Sequence, residues 1–438
     1  MKLIKYPLSI LFKCLIIFSC TTNKSVTSVS SNELPHQLVK KLTDIMVVDI
    51  FTPPVASRIY ANCSLGMYEA LRFENKTSSS ITVKLKGFDP MPIPVANVQY
   101  NFSIAAIQSF CETAKKVTFS ANEITAYQDS MIKLYGQNFD KKIVDSSIAF
   151  GQRVADVIAK RLSKDNYKET RGMERFEVKT SDQTRWVPTA PDYADGLEPY
   201  WYKMMTMGLE SSSQVDADPF PAYSEDKSSA FYKEMQEVYD ISKNMTDEQN
   251  DIALFWDDNP FVSKHKGHVM FQDKKMTPGG HWMAIAAKAC KIKNADAVTS
   301  AKAYAYTSIG LYDAFISCWY VKYKTVRIRP QTAIQRLIDE QWISYIQTPP
   351  FPEYTSGHST TSSTAAEMLT HLFGDNIAFT DSSELEYNLP VRSFTSFRKA
   401  AEEASISRVY GLIHYRSGCE NGNKQGKKIA EAILSKLE

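Results

Sequence analysis

The sequence predicts an all-α protein made of helical bundles, arranged as two halves. Apolar residues recur at helical spacing along most of the chain, for example over 143–158 and 429–437. The alternation typical of strands is nearly absent and occurs weakly only over 175–179. A chain of 438 residues that is 43% hydrophobic can bury the core of one large or two medium domains. These observations favour helix-on-helix packing.

Composition excludes two classes of protein. The formal net charge is +2 and no basic stripe is present, so nucleic acid is not an expected partner. The seven cysteines are too few and too scattered for a disulfide scaffold.

The first residues predict export. Residues 1–19 carry three lysines and a short apolar run, as a secretory signal does, and the run is shorter than the ~20 residues that span a bilayer. The residues before Cys20 resemble a bacterial lipobox, which predicts a lipid-modified Cys20, although an ordinary cleaved signal or an uncleaved anchor would also fit. The Ser/Thr-rich residues 20–33 suit a tether. We therefore expect a lipoprotein on the periplasmic or outer cell surface, touching the membrane only through its anchor.

The rest of the chain divides into an N-terminal helical half (34–163), an irregular connection rich in Pro and Tyr (164–226) and a C-terminal helical domain (227–438). Loss of residues 1–19 removes three lysines and no acid, which leaves a net charge of −1. Besides the two apolar stripes above, helices are predicted over 36–49, 55–73, 96–116, 122–138, 227–243, 296–320, 332–345, 359–373 and 395–413.

The first segment with reactive residue types, 313–330, contains Lys322 and Arg329. These cations are seven residues apart, nearly two helical turns, so both can point the same way, and Pro330 ends a regular helix there. Alone, this spacing usually indicates a solvated helix face.

The second segment, 349–360, is a proline-rich stretch that leads into Thr355-Ser356-Gly357-His358. Thr355 and Ser356 are good N-caps, and the free N–H groups at a helix start bind anions. Gly357 lets an oxyanion approach the backbone, with His358 at the edge of such a site. An ordinary capped helix with a chance His would have the same pattern.

The third segment, 407–417, adds Arg408 and, six residues later, His414. In order, Lys-x6-Arg-Pro, Ser-Gly-His and Ser-Arg-x5-His resemble the signature of the vanadium-dependent haloperoxidases and the type-2 phosphatidic acid phosphatase superfamily. The chain looks most like the vanadium chloroperoxidase branch. The resemblance covers about 313–416, extends weakly through 255–258 and 278–282, and places the active site in the C-terminal bundle.

The family's pocket holds a tetrahedral oxyanion, either phosphate or vanadate. The resemblance implies that Lys322, Arg329 and Arg408 neutralise its oxygens, which agrees with the need of a trianion for several fixed cations. It likewise implies hydrogen bonds from Ser356 and the Gly357 N–H. His414 would be the axial vanadium ligand and His358 the acid/base residue.

Three hypotheses of function follow from the resemblance. A vanadium-dependent haloperoxidase would oxidise halide with hydrogen peroxide to hypohalous acid, with Lys322 polarising the peroxide. A secreted acid phosphatase would cleave phosphomonoesters through a phosphohistidine at His414, with no cofactor. The third hypothesis is an inactive lipoprotein that binds phosphate. The oligomeric state stays open in all three.

Two features bear on the choice between the enzymes. Trp319 and Phe351 match the aromatic residues of the halide pocket in the chloroperoxidase branch, although plain core packing would also explain them. The superfamily commonly has a carboxylate four residues after the second His, where this chain has Gly418. We expect Glu420 or a backbone carbonyl to orient His414 instead, a loss that harms a nucleophilic His more than a vanadate ligand.

Several polar residues that precede Lys322 in the chain are expected to have supporting roles or none. Asp257 or Asp258 is expected to pair with one of the site arginines. His281, in a glycine-rich turn, is expected to shape the pocket entrance. His265 and His268 lie in a polar stretch and are expected to face solvent rather than to bind a metal.

Overall fold

The computed structural model describes residues 30–260, 262–266 and 268–438. The predicted signal, the tether up to residue 29 and the Cys20 anchor therefore lie outside the described residues. Helices of the first part are α1 (Leu34–Asp49), α2 (Pro53–Leu71), α3 (Phe102–Val117), α4 (Ala121–Gly136), α5 (Lys141–Leu162) and α6 (Tyr167–Arg171).

After a long irregular stretch the chain is helical again. Its elements are α7 (Ala230–Lys243), α8 (Asp247–Phe255), α9 (Pro278–Ile292), α10 (Ala297–Thr325), α11 (Pro330–Leu337), α12 (Gly357–Phe373), α13 (Phe397–Tyr410) and α14 (Arg416–Leu437). Two small antiparallel hairpins interrupt them, β1 (Val262–Lys266) with β2 (Val269–Asp273) and β3 (Phe379–Asp381) with β4 (Arg392–Phe394). In these hairpins Val262 pairs with Asp273 and Phe379 with Phe394.

The predicted all-α class is confirmed, with local corrections. Residues 175–179 form no strand, whereas the hairpins lie at 262–273 and 379–394. Helix α8 was missed, and 278–282 is the start of helix α9 rather than a turn. Thr277 caps α9 by accepting the N–H of Gly280, and Pro278 occupies its first position. A proline at that position favours a helix start, so the local signal for α9 was present in the sequence.

Helix α10 is the centre of the molecule. Its 29 residues are buried on nearly every side, and it packs against α2, α9, α12 and α14. A helix that is apolar all round is expected in the core of a large protein. One hydrophobic core joins α1 to α5 with α9, α10 and α12 to α14, and a second cluster surrounds Phe231, Ile334 and Tyr415.

The irregular stretch is tied to α10 by a buried carboxylate. Asp313 accepts the backbone N–H groups of Met207, Gly208 and Leu209 at 2.8, 2.7 and 2.8 Å. Buried backbone donors need partners, so this one side chain satisfies a turn that has no regular structure of its own. The stretch is thereby held against the middle of α10.

Two further findings concern cysteines and the membrane. The cysteines at 63, 111, 290, 318 and 419 are buried thiols without a disulfide among the described residues. Within the same residues, no helix combines the length and the apolar character needed to cross a bilayer.

Helices α12 and α14 approach so closely that only glycine fits between them. A Cβ at Gly426 would collide with the backbone carbonyl of Thr360, and one at Gly422 would lie 2.9 Å from the Ser359 Cβ. Backbone atoms cannot move aside as a flexible side chain can. This contact fixes the position of the start of α12.

Gly426→Ala should therefore lower the free energy of unfolding by about 1–3 kcal/mol, since it overpacks a rigid contact. Urea unfolding followed by circular dichroism measures the change. Gly172→Ala is the control, because a Cβ there has its nearest atom, the Glu169 carbonyl oxygen, 3.7 Å away. Equal stability of the Gly426→Ala variant and the wild type would contradict the close packing.

Candidate active site

Residues from all three sequence segments line one cavity, although Lys322, Arg329 and Ser356 are not among its lining residues. Its walls include Gly357 and His358 at the start of α12, Arg408 on α13, and His414 in the loop before α14. Its volume is about 60 Å³, room for a few water-sized groups. A cleft of about 730 Å³ between α1 and α9 is larger but contains none of these residues.

The earlier part of the chain closes this cavity. Pro53 of α2 and Leu197 of the irregular stretch line it together with the C-terminal residues. The Leu197 carbonyl accepts hydrogen bonds from Trp319 Nε1 at 3.2 Å and from Tyr323 Oη at 2.7 Å. The cavity is thus built from both halves of the sequence.

His414 is held as a neutral imidazole of defined orientation. Its Nδ1 lies 2.7 Å from Glu353 Oε1, so this nitrogen carries the proton that the carboxylate accepts. Burial, reinforced by the nearby cations Arg329 and Lys322, holds the pKa of His414 well below its ordinary value. Nε2 therefore carries no proton, and it accepts a hydrogen bond from Arg329 Nη1 at 3.1 Å. A metal would have to replace that hydrogen bond to use the Nε2 lone pair, with Glu353 holding the ring in the required tautomer.

Glu353 takes the place of the acid that is missing at position 418. A Cβ on Gly418 would collide with Glu353 Oε1, so the carboxylate occupies the space that a side chain at 418 would fill. The expectation that Glu420 or a carbonyl orients His414 is wrong, and Glu420 is exposed. Glu353 was missed because it pairs with a residue 61 positions away, although a lone acid inside a proline-rich turn was a usable signal.

Arg327 binds the carboxylate oxygen of Glu353 that His414 does not use. Its Nη1 lies 3.0 Å from Glu353 Oε2, and its Nη2 donates to Glu234 at 3.0 Å. Arg327 and Glu353 are both almost fully buried, so their charges need one another. Arg327 was not identified from the sequence either.

Two arginines leave hydrogen-bond donors unused. Arg329 donates to the carbonyls of Phe351 and Ile413, and Arg408 donates to the carbonyl of Trp256. Arg329 Nη2 and Arg408 Nε have no hydrogen-bond partner among the described residues. Burial lowers the pKa of Arg329 to about 10 and also lowers that of Arg408. Buried cations with spare donors form a site for an anion.

Asp257 is the carboxylate that lies beside Arg408. The sequence alone predicted that either Asp257 or Asp258 would pair with a site arginine. Its Oδ1 lies 3.8 Å from Arg408 Nη2, whereas Asp258 contacts two histidines instead. A partner at this distance orients the guanidinium without neutralising it fully, so Arg408 keeps charge for a ligand.

Lys322 is buried and makes three contacts to the turn before α12. Its Nζ donates to the carbonyls of Pro352, Glu353 and Thr355 at 2.9, 3.0 and 2.6 Å. Burial, helped by the charge of Arg329, lowers the pKa of Lys322 to about 7. All three ammonium donors are engaged in this way, so Lys322 shapes the turn in this structure, and its contact with an oxyanion stays a prediction.

The start of α12 has the geometry that its sequence predicts. Ser356 is the N-cap and accepts the N–H of Ser359 at 3.3 Å, and Gly357 is the first helical residue. The N–H groups of a first helical turn lack partners within the helix. His358 lies beside them, its Nε2 has no hydrogen-bond partner among the described residues, and burial together with Arg408 holds its pKa well below the ordinary value.

The two aromatic residues assigned to a halide pocket lie side by side in the cavity wall. The ring centroids of Trp319 and Phe351 are 5.1 Å apart, and Lys322 Nζ lies 4.9 Å from the Phe351 centroid. A Cβ on Gly357 would be 3.6 Å from the Trp319 ring, so the indole borders the helix start. The aromatic surface and the anion site are therefore adjacent.

His281 does not shape the entrance, contrary to the expectation. It is fully buried in α9, with Nδ1 2.9 Å from Asp258 and Nε2 2.8 Å from Asp381. The glycines beside it suggested a loop, but they allow close packing of α9, where a Cβ on Gly280 would lie 3.0 Å from Tyr60 Oη. His265 and His268 lie in the β1–β2 hairpin, and His268 is exposed.

Comparison with known proteins gives matches at the level of family and of structure. Residues 302–438 match the family model described as the VCPO second helical-bundle domain. No curated protein matches the chain.

Solved structures match nearly the whole chain. The crystal structure of the first bacterial vanadium-dependent iodoperoxidase is 42% identical, with a TM-score of 0.88, and the match covers 93% of this chain and 97% of that one. The holo form of a bacterial vanadium-dependent chloroperoxidase is 16% identical, with a TM-score of 0.69 and the same coverage. The apo-type structure has 16% identity and a TM-score of 0.68, covering 89% of this chain and 96% of that one. At 16% identity these two show a shared fold.

Moving the acid from position 353 to position 418 tests the role of Glu353. Glu353→Ala should weaken the binding of orthovanadate about 10–100-fold, because His414 loses the partner that sets its tautomer. Adding Gly418→Asp to that variant should restore most of the affinity, while Gly418→Asp alone brings two carboxylates into collision. Isothermal titration calorimetry measures the binding.

Glu420→Ala is the matched control and should bind orthovanadate as the wild type does. Unchanged binding by a folded Glu353→Ala variant would contradict this role for Glu353.

Proposed function

Because the chain belongs to the vanadium-dependent haloperoxidases, we propose that it oxidises iodide with hydrogen peroxide, using vanadate bound between Arg329, Arg408 and His414. The observation that carries this proposal is the pair of unpartnered guanidinium donors beside the unprotonated Nε2 of a neutral His414, which accepts a hydrogen bond from Arg329. Such a group of residues would fit an oxyanion whose central atom accepts a nitrogen ligand.

The residues present fit vanadate in charge as well as in donors. Arg329 and Arg408 are buried cations that keep unused N–H groups, and α12 offers its N-terminal N–H groups on the same side. His414 Nε2 would hold the metal. When bound, vanadate supplies a Lewis-acid centre that activates hydrogen peroxide toward attack by halide.

His358 handles the protons of this reaction. The reaction I⁻ + H₂O₂ + H⁺ → HOI + H₂O consumes one proton, and protons must be moved so that one peroxide oxygen leaves as water. A neutral His358 with an unpartnered Nε2 can take such a proton and return it. Asp258 Oδ2, 3.7 Å from that nitrogen, stabilises the charge that appears on the ring.

Iodide is the proposed halide for two reasons. The chain is similar over nearly its full length to a bacterial iodoperoxidase. Trp319 and Phe351 present ring surface beside the buried Lys322, which suits a large, polarisable and weakly hydrated anion.

One objection to the phosphatase hypothesis was the missing acid at position 418. Glu353 orients His414 as a triad acid would, so the absence of an acid at Gly418 no longer weakens a nucleophilic His. Family membership favours the peroxidase, and hydrolysis of a phosphomonoester is measured beside it as the competing outcome.

The enzyme, after incubation with orthovanadate and removal of the excess, should oxidise iodide in the presence of peroxide, followed as triiodide absorbance. Bromide and chloride should react more slowly under the same conditions. His414→Ala should lower the rate at least about 100-fold, because the nitrogen ligand that would hold vanadate is lost. His371→Ala, at an exposed histidine stacked on Tyr306, is the matched control.

Inorganic phosphate added before vanadate should prevent activation, since both oxyanions use the same arginines. Release of phosphate from p-nitrophenyl phosphate, with no oxidation of any halide after vanadate loading, would overturn the proposal.

We further propose that the full-length chain is exported and anchored through a lipidated Cys20. The proposal rests on the basic leader, the short apolar run and the Cys that follows them. In bacteria the full-length protein should fractionate with membranes, and Cys20→Ala should shift it to the soluble fraction. Mass spectrometry of the N-terminus checks the modification, and an unmodified Cys20 in the mature protein would contradict it.

A further inference from the structure

Three buried ionisable residues form a chain that begins beside His358 at the cavity wall and leads into the protein interior. Asp381 Oδ2 lies 2.8 Å from His281 Nε2, His281 Nδ1 lies 2.9 Å from Asp258 Oδ1, and Asp258 Oδ2 lies 3.7 Å from His358 Nε2. All except His358 are nearly inaccessible to solvent. The links come from α9, the segment after α8, and the end of β3, so the tertiary fold alone brings them together.

His281 is placed to carry a positive charge. Each of its ring nitrogens is within hydrogen-bond distance of a carboxylate oxygen, and a ring that donates from both nitrogens is an imidazolium. Burial by itself would lower the pKa of His281, but Asp258 and Asp381 together raise it well above the ordinary value. Its ring also stacks on Trp256, with centroids 4.5 Å apart.

A divalent cation is the competing explanation. Asp258, His281 and Glu384 could together surround an ion, and Glu384 has no hydrogen-bond partner among the described residues. A metal would need the lone pair of His281 Nδ1, but both ring nitrogens have a carboxylate oxygen at hydrogen-bond distance, Asp258 Oδ1 at 2.9 Å from Nδ1 and Asp381 Oδ2 at 2.8 Å from Nε2. Two protons on the ring account for these two contacts without an ion. Glu384 Oε1 is farther away, 3.8 Å from Nδ1.

We propose that His281, fixed as an imidazolium by Asp381, is a positioning residue that directs Asp258 toward His358 and limits how strongly Asp258 attracts a proton there. One oxygen of Asp258 is engaged by His281, which leaves the other to face His358. A carboxylate that shares its charge with an imidazolium is a weaker proton acceptor for its second neighbour. His358 is thereby kept neutral at rest and still has an anion beside it when it takes a proton.

The arrangement is held rigidly from the far side. Asp381 also accepts the backbone N–H and the hydroxyl of Ser383, at 2.9 and 2.7 Å. His281 therefore cannot turn away from Asp258 without breaking a buried network. The ionisable groups that face His358 from the surrounding elements include Asp258, His281, Lys322, Arg408 and His414.

The test is a histidine titration by NMR in the vanadate-free enzyme. The chain has seven histidines, so the ring signals can be assigned from single variants. His281→Gln keeps a side chain that can donate to Asp258 but removes the charge, so the pKa of His358 should rise by about one unit. Asp381→Asn leaves the His281 ring in place but removes a carboxylate that keeps this ring protonated, so the pKa of His358 should rise here as well. This variant replaces His281→Gln in the test if His281→Gln does not fold.

Kinetics give a second, separate readout. If His358 must be neutral to take a proton, the pH below which iodide oxidation fails should rise in both variants by the same amount, with the KM for iodide unchanged. His36→Gln is the matched control, because His36 is hydrogen-bonded to Tyr304 at a distant place and should move neither value.

Two results would overturn the proposal. One is an unchanged His358 titration in a folded His281→Gln variant. The other is one equivalent of a divalent metal in the purified enzyme, found by elemental analysis and lost in Glu384→Gln but kept in the exposed control Glu386→Gln. The NMR titration does not depend on peroxidase activity, so its failure is distinguishable from failure of the proposed function.

Discussion

The active site depends on the buried carboxylate of Glu353. Its two oxygens bind Arg327 and His414, and its backbone carbonyl accepts a hydrogen bond from Lys322. Buried cations are costly unless anions accompany them, and Glu353 compensates only part of the charge carried by Lys322, Arg327 and Arg329. The remaining positive charge and the unused guanidinium donors create an affinity for an oxyanion. Glu353 thus stabilises the site, but the site keeps an excess of positive charge that an anionic ligand would balance.

The scaffold keeps this charged group in place with few moving parts. Glycines let α14 lie against the backbone of α12, so the helix start that carries Gly357 and His358 cannot shift. Asp313 holds the irregular stretch against the middle of α10, and Leu197 from that stretch lines the cavity. Residues distant in sequence thus bury the charged side chains of the site, which strengthens the electrostatic interactions among them.

Much of this could be predicted from local patterns. Helical periodicity identified most helices, because residues three or four positions apart form the apolar stripe of an amphipathic helix. Ser356 as N-cap and the order of Lys322, Arg329, His358, Arg408 and His414 were likewise readable, since each motif lies within a few residues. The errors were also local in origin. Glycines before His281 suggested a turn, whereas tertiary packing made them the close-fitting start of α9.

The sequence by itself therefore determined the helical class, the oxyanion-binding residue types and the resemblance to one family. Only the tertiary structure decided which groups are partners. Glu353 replaces an acid expected near Gly418, Asp257 rather than Asp258 faces Arg408, and His281 joins Asp258 to Asp381. The physical reason is that a buried charge is stabilised by whichever counter-charge the fold brings within about 3–4 Å. The spacing of two residues along the chain does not determine that distance.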